Sequence, residues 1–326
     1  MPVLILTESE LRACVGFDAE CLSAIEDAFT WLSEGKVEMP PVMHIEVAEH
    51  HGDVDIKSAC VRGLDHIAVK VASGFFENPR LGLPSSGAMV VVLSAKTGFC
   101  DAVMLDNAYL TDLRTGLAGA VAARYLAPEM VRTVGVLGSG AQARYQVRAL
   151  RLVRDFERVL VSSRDADRSA AYAAEMGESL GLPVEAATPE ALVRESELVI
   201  TTTPARAPIV DAAWLHPGLH ITAMGSDLPG KQELDPEVLR RADRVVCDRR
   251  EQCLAMGELQ HAAELLEGGN APFELGELTS GHAPGRRLAE EITICDLTGT
   301  GVQDTAMANL ALARARALGA GTLIDN

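Results

Sequence analysis

Thr133-Val-Gly-Val-Leu-Gly-Ser-Gly-Ala-Gln-Ala143 carries more structural information than any other stretch of the 326 residues. Its first five residues form a short apolar run, the pattern of a strand buried on both faces. Gly138-x-Gly140-x-x-Ala143 then turns that strand into a helix. Gly138 permits the tight turn, Gly140 lets backbone N–H groups come close to a ligand, and the helix presents its positive N-terminus. A pyrophosphate needs all three, and Ala143 stands where a third glycine is more usual. Such a turn can also be merely structural, so its surroundings have to support it.

They do. Arg158-Val-Leu-Val161, Leu198-Val-Ile-Thr201, His220-Ile-Thr-Ala223, Arg244-Val-Val-Cys247 and Ile292-Thr-Ile-Cys295 follow as short apolar runs separated by helical stretches or loops. That rhythm predicts an α/β fold with a Rossmann-type doubly wound parallel sheet over 121–304. The expected cofactor is NAD(H) or NADP(H), held by Gly138, Ser139, Gly140, Ala141, Gln142, Ser163, Arg164 and Thr202. The end of the second strand reads Ser162-Ser163-Arg164-Asp165. Ser163 and Arg164 suit a 2′-phosphate, whereas an Asp165 bent back would suit the ribose hydroxyls of NAD, and both readings stay open.

The chain before Thr133 has a mixed pattern. Thr7 and Glu10 form a capping-box signature, and Ala19 to Leu32 repeats apolar residues at helical spacing. Alternating segments 53–61 and 66–72 flank Arg62-Gly-Leu-Asp65, which predicts a hairpin. A turn centred on Gly63 and Leu64 would set Lys57 opposite Lys70. A strand from Gly87 to Leu93, a helix from about Tyr109 to Leu126 and a last helix from Ala306 to Leu318 complete the pattern. The last helix is expected to return to the first part, giving a split α+β domain of 1–120 and 305–326. Residues 268–287, rich in Gly and polar types, predict a long surface loop.

A net charge of −17 argues against nucleic acid and anionic membrane surfaces, because both require clustered cations. A small anionic substrate remains compatible with local cations. Seven scattered cysteines without a C-x-x-C pair read as reduced thiols. Together with a start that resembles no signal peptide, they make a cytoplasmic protein the expectation.

Three polar residues stand out. Arg114 lies near the start of the Ala-rich helix, where a guanidinium joins free N–H groups to suit a carboxylate. It could equally be a surface arginine paired with Asp112. Lys70 interrupts an apolar strand and needs either a buried partner or a route to solvent. Asp227 follows a strand at the carboxyl edge of the sheet, where ligands of open α/β sheets bind, although Asp-Leu-Pro-Gly is also a common loop. His50-His51 lacks spaced partners for a metal, and no H-E-x-x-H, G-x-S-x-G or P-loop occurs.

Taken together, Val69-Lys70-Val71, Leu113-Arg114-Thr115, Val136 to Gln142 and Gly225-Ser-Asp-Leu-Pro-Gly-Lys-Gln-Glu-Leu234 resemble the ornithine cyclodeaminase/mu-crystallin family over nearly the whole chain. The resemblance implies a homodimer built on the split domain, with a small anionic amino-acid or imine substrate. It implies that Lys70 and Arg114 bind the substrate carboxylate with Thr115 beside them, and that Asp227 handles the nitrogen. Lys70 and Asp227 are the expected catalytic residues. Members include ornithine cyclodeaminases, alanine dehydrogenases, ketimine reductases and thyroid-hormone-binding mu-crystallins.

Lys57 departs from the ornithine pattern, where the resemblance implies a glutamate; His44 stands near the place of an expected arginine. Two lysines facing each other across a ladder lie on the order of 5 Å apart and repel unless an anion lies between them. With Arg114 they make three cations, which match a dicarboxylic imine such as iminosuccinate better than ornithine with its distal ammonium. If instead Lys57 points to solvent, Asp53 or Asp55 would pair with it. The alternatives are a cyclodeaminase using bound NAD and a mu-crystallin-like binding protein without turnover.

Overall fold

The computed structural model describes residues 2–75, 77–267 and 271–325. The chain forms two compact units, Met1–Arg114 with Thr300–Asn326, and Thr115–Gly299.

In the second unit Thr133–Leu137 and Leu198–Thr201 are buried at every position, as a strand covered on both faces must be. Among the described residues the strands lie in the order Val184–Ala186, Arg158–Ser162, Thr133–Leu137, Leu198–Thr201, His220–Ala223, Thr293–Asp296, Arg244–Cys247 and Phe273–Glu274. All neighbours are parallel. The chain moves outward from Thr133–Leu137 in one direction, then restarts on its other side with Leu198–Thr201. That reversal is the topological switch point, and the glycine turn sits at its carboxyl end. Thr293–Asp296 is inserted between two earlier strands, which the order along the sequence does not announce.

The expected loop over 268–287 is corrected in part. Residues 268–270 lie outside the described residues, while Phe273–Glu274 is a strand and Leu275–Thr279 a short helix. Glu274 and Glu277 cap that helix reciprocally, which gives a polar-looking stretch regular structure.

The first unit is a mixed sheet ordered Thr322–Ile324, Val3–Thr7, Cys100–Leu105, Ser86–Ser94, His66–Phe75, Gly52–Val61, with Val37–Glu38 and Met43–Val47 both pairing the last of these. The hairpin has the register expected of it, Lys57 opposite Lys70. Period-2 alternation sorts its side chains. Ala59, Ala68, Val90, Val92, Ala102 and Met104 are buried on one face. The C-terminal helix, Gly301–Leu318, lies on that face, with Thr305 donating to the Ala59 carbonyl at 2.8 Å and Val302 and Ala306 packed with Ala59 and Val61. It begins five residues before the expected Ala306, because Thr300 and Gln303 form a capping box. The opposite face is apolar too. Met43, Ile56, Val71 and Met89 are consecutive partners across four strands, and Met43 and Met89 are 58% and 41% exposed.

Candidate active site

Lys70 is 2% exposed and does not snorkel. Its ammonium donates to Asp304 Oδ1 at 3.0 Å and lies 2.9 Å from Oδ2. Burial drives its pKa down to about 7; Asp304 opposes that shift, while Arg114 and Lys57 add to it. Asp304 is itself buried, yet Lys70 and Arg114 outweigh the burial and hold its carboxyl below the ordinary range.

Arg114 is buried rather than paired at the surface. Its Nε donates to Asp304 Oδ1 at 3.1 Å and its Nη1 to Gln303 Oε1 at 3.2 Å. The helix bearing it, Tyr109–Leu126, is preceded by Asp106-Asn107-Ala108, where Asn107 and Ala108 both have positive φ, at 48° and 72°. Two non-glycine residues in that region store backbone strain, a feature concentrated at functional sites. Asp106 is buried, accepts from the Leu110 amide at 2.9 Å, and is pushed up to about 6 chiefly by burial.

Lys57 is half-buried and faces the same side of the sheet as Lys70. Its charge adds to those that lower Asp304 and depress Lys70. His44, on the neighbouring strand, holds Asp55 through Nδ1 at 2.8 Å. The structure therefore joins Lys70 and Arg114 on Asp304 and sets Lys57 opposite Lys70 on the same face of the sheet.

In the second unit the glycine turn has the geometry a pyrophosphate requires. Gly138 has φ 117°, and a Cβ on it would lie 2.4 Å from Thr202 Oγ1. A Cβ on Gly140 would meet no described atom within 4 Å, so nothing in the packing demands glycine there. Gly140 is the N-cap of Ala141–Leu150 without a side-chain cap, which leaves the first-turn amides of Ala141 and Gln142 to an incoming anion. Arg144 braces the turn by donating to the carbonyls of Ser139 and Gly140 at 2.7 and 3.0 Å. Past the adjoining strand, Asp165 Oδ1 caps the next helix, accepting from the amides of Asp167 and Arg168. Ser163 donates to the Asp165 carbonyl at 2.8 Å, and Arg164 is exposed. Thr115 lies in the same unit, its carbonyl accepting from Gln146 at 2.9 Å.

Asp227 lies in the loop after His220–Ala223, half-exposed, its Oδ1 2.5 Å from the Lys231 ammonium. Glu233 is fully buried and accepts from Thr201 Oγ1, from the Thr203 amide at 2.6 Å, from Thr203 Oγ1 at 2.7 Å and from the Gly225 amide at 2.8 Å. One carboxylate thus ties the loop of Thr202 to the loop of Asp227. Behind it, Glu258 accepts from the amides of Glu233 and Leu234 at 2.8 and 3.2 Å.

Asp304, Gln303, Asp106 and Glu233 were not singled out from sequence. The capping signature Thr300-x-x-Gln303 could have brought the helix start forward and placed Asp304 on its first turns. Asp106 and Glu233 carry no local pattern that reports burial.

The profile of the ornithine cyclodeaminase/mu-crystallin family matches residues 3–318. A Rhizobium meliloti protein with a provisional dehydrogenase name is 49% identical, covering 99% of this chain and 98% of that protein. An uncharacterized cyclodeaminase of Sinorhizobium fredii is 45% identical over the whole of both chains. Among solved structures, an archaeal alanine dehydrogenase dimer with bound NAD superposes with a TM-score of 0.92 at 36% identity, covering 100% of this chain and 99% of that one. The iminosuccinate reductase of Paracoccus denitrificans in complex with NAD+ gives 0.91 at 30% identity and full coverage of both.

Proposed function

This chain belongs to the ornithine cyclodeaminase/mu-crystallin family, and from that premise we propose that it is an NAD(P)H-dependent reductase of a small dicarboxylic imine, converting iminosuccinate to aspartate. The observation that carries the reading is the Lys57–Lys70 register. It adds a second ammonium to a cluster in which Lys70 and Arg114 already share Asp304. Two cations on one carboxylate with a third opposite Lys70 favour a ligand with two negative charges and disfavour one with a distal ammonium.

In this reading Arg114 and Lys70 hold the α-carboxylate, Lys57 takes the distal one, and Asp227 stabilises the charge on the iminium nitrogen. The amides of the Gly140 turn hold the dinucleotide pyrophosphate; the fit is supported by the open space before Gly140 and the positive φ of Gly138. When bound, the nicotinamide supplies the hydride that reduces the carbon–nitrogen double bond. Water-poor surroundings strengthen the charge contacts of Lys70 and Arg114, which are buried together with Asp304. Seven unpaired thiols suit a cytoplasmic setting.

We further infer a homodimer formed through the open sheet face. The stripe Met43, Ile56, Val71, Met89 supports it, since apolar side chains in consecutive register make a patch that favours burial. The structurally similar alanine dehydrogenase is a dimer.

Cyclodeamination is the second reading, favoured by the 45% identity to the uncharacterized cyclodeaminase of Sinorhizobium fredii. One assay separates the two. Enzyme is mixed with NADH or NADPH and candidate imines, or with NAD+ and ornithine, while nicotinamide absorbance and ammonia are followed. Net oxidation of the reduced dinucleotide by iminosuccinate is the result expected. Ammonia release from ornithine without net absorbance change would replace the reductase reading, and neither signal would indicate a binding protein.

A further inference from the structure

The Lys70–Arg114 pair has a common support that the sequence motifs do not contain. Asp304 is fixed by its own helix: Thr300 and Gln303 cap the start, and Thr305 bonds the strand at Ala59. Gly301 lets that start approach closely, since a Cβ there would lie 2.6 Å from the Ser58 carbonyl oxygen. The carboxylate so placed accepts from Lys70 at 3.0 Å and from Arg114 at 3.1 Å through one oxygen. Arg114 is fixed a second time by Gln303, the residue before Asp304.

We propose that Asp304 is a positioning residue: it holds Lys70 and Arg114 on one carboxylate, and its charge decides whether Lys70 presents an ammonium to the substrate. The assignment rests on the reading of Lys70 as a substrate-facing group. The physical reason is that a buried ammonium keeps its proton only through compensation. The charged and titratable groups facing Lys70 are Asp304 from the C-terminal helix, Arg114 from the helix at Tyr109–Leu126, Lys57 from the adjoining strand and Asp106 from the segment before that helix. Arg114 and Lys57 disfavour the ammonium, and Asp304 is the group that touches it.

The chain has five lysines, Lys36, Lys57, Lys70, Lys96 and Lys231, so Cε resonances of 13C-lysine-labelled protein can be assigned by single replacements. In the wild-type full chain with dinucleotide bound, Lys70 should titrate below the ordinary lysine range, as its burial requires. In Asp304→Asn the midpoint should fall below the wild-type value, because the counter-charge is gone while the shape is kept. The alkaline limb of kcat/KM should move toward acid with it, and KM should rise more than kcat falls. Asp304→Glu keeps the charge on a longer arm, so it should hold the midpoint near the wild-type value and raise KM alone. It provides the test if Asp304→Asn does not fold.

An unchanged Lys70 midpoint in Asp304→Asn, or a wild-type KM in Asp304→Glu, would overturn the proposal. The resonance requires no turnover. Midpoints that behave as expected in a protein inactive on every dicarboxylic imine would therefore support the Asp304 assignment and remove the substrate reading instead.

Discussion

Lys57 and Lys70 are direct partners in the antiparallel ladder between Gly52–Val61 and His66–Phe75, and they point to the same face of the sheet. A like-charged cross-strand pair is destabilising by itself. Lys70 is offset by Asp304, so the pair is tolerated within a larger group rather than as two isolated ammoniums.

Gly140 and Gly138 should respond differently to bulk. A Cβ on Gly140 meets no described atom within 4 Å, so Gly140→Val should fold while losing most of its dinucleotide affinity. Gly138→Ala meets both a positive φ and Thr202, and should lower the melting temperature. Titrations of both variants with NADH and NADPH, beside thermal unfolding, check this. Unchanged dinucleotide binding in Gly140→Val would remove the pyrophosphate from the turn.

Arg164 should report cofactor choice. It is exposed just past the second strand, while the neighbouring Asp165 caps a helix with one oxygen. Arg164→Ala should weaken NADPH by roughly 1–3 kcal/mol and leave NADH nearly unchanged if the guanidinium holds a 2′-phosphate. Equal effects on the two cofactors would end that assignment.

Met89→Arg should convert a dimer into a monomer. Met89 is opposite Val71 in the exposed apolar stripe, and a buried guanidinium without a partner costs several kcal/mol. Sedimentation velocity of wild type and variant gives the answer. Identical coefficients would place the dimer contact elsewhere or dispense with it.

The doubly wound sheet was legible because each of its central strands is a short, mostly apolar run and the glycine turn marks where the order reverses. The Lys57–Lys70 pairing was legible for a different reason: a symmetric turn fixes register, and register fixes which side chains face each other. Asp304 was not, because its partners are 190 and 234 residues away in sequence and no local periodicity encodes them. The same holds for Glu233. Its residue type sits in the quoted motif, but its role lies in four donors, from one strand end and two loops, that meet only in the folded sheet. Thr322–Ile324 and Phe273–Glu274 escaped because two- and three-residue strands are too short to show alternation.

Glu258 should make stability depend on pH in the alkaline direction. Burial, and then the nearby Asp296, push its carboxyl up to about 9 in the folded chain. A folded pKa above the unfolded one gives stability that is complete below the unfolded value and is lost as pH rises through the folded value. Wild-type stability should therefore fall between about pH 5 and pH 9, with a slope of up to about 1.4 kcal/mol per pH unit from this group. Glu258→Gln loses one amide contact and starts lower, but its slope above pH 7 should be flatter. Asp296, pushed up to about 7 by burial, keeps part of the slope below that point. Urea midpoints across the range measure it, and parallel curves for the two proteins would show that Glu258 is ionised in the fold.

Lys57 bears the substrate assignment. Lys57→Glu would set a carboxylate opposite Lys70 and beside the distal carboxylate of the substrate, costing several kcal/mol in transition-state binding and abolishing dicarboxylate turnover. Lys57→Met keeps the aliphatic stem and removes only the charge. It should raise KM for iminosuccinate and affect the imine of pyruvate less, because that substrate has nothing at the distal position. The quantity to compare is the ratio of kcat/KM for iminosuccinate to that for the pyruvate imine, in wild type and both variants. A contact with the distal carboxylate changes this ratio, whereas general damage to the cation group lowers both values together and leaves it constant. A constant ratio would assign Lys57 to the fold of the hairpin and withdraw the main support for a dicarboxylic substrate.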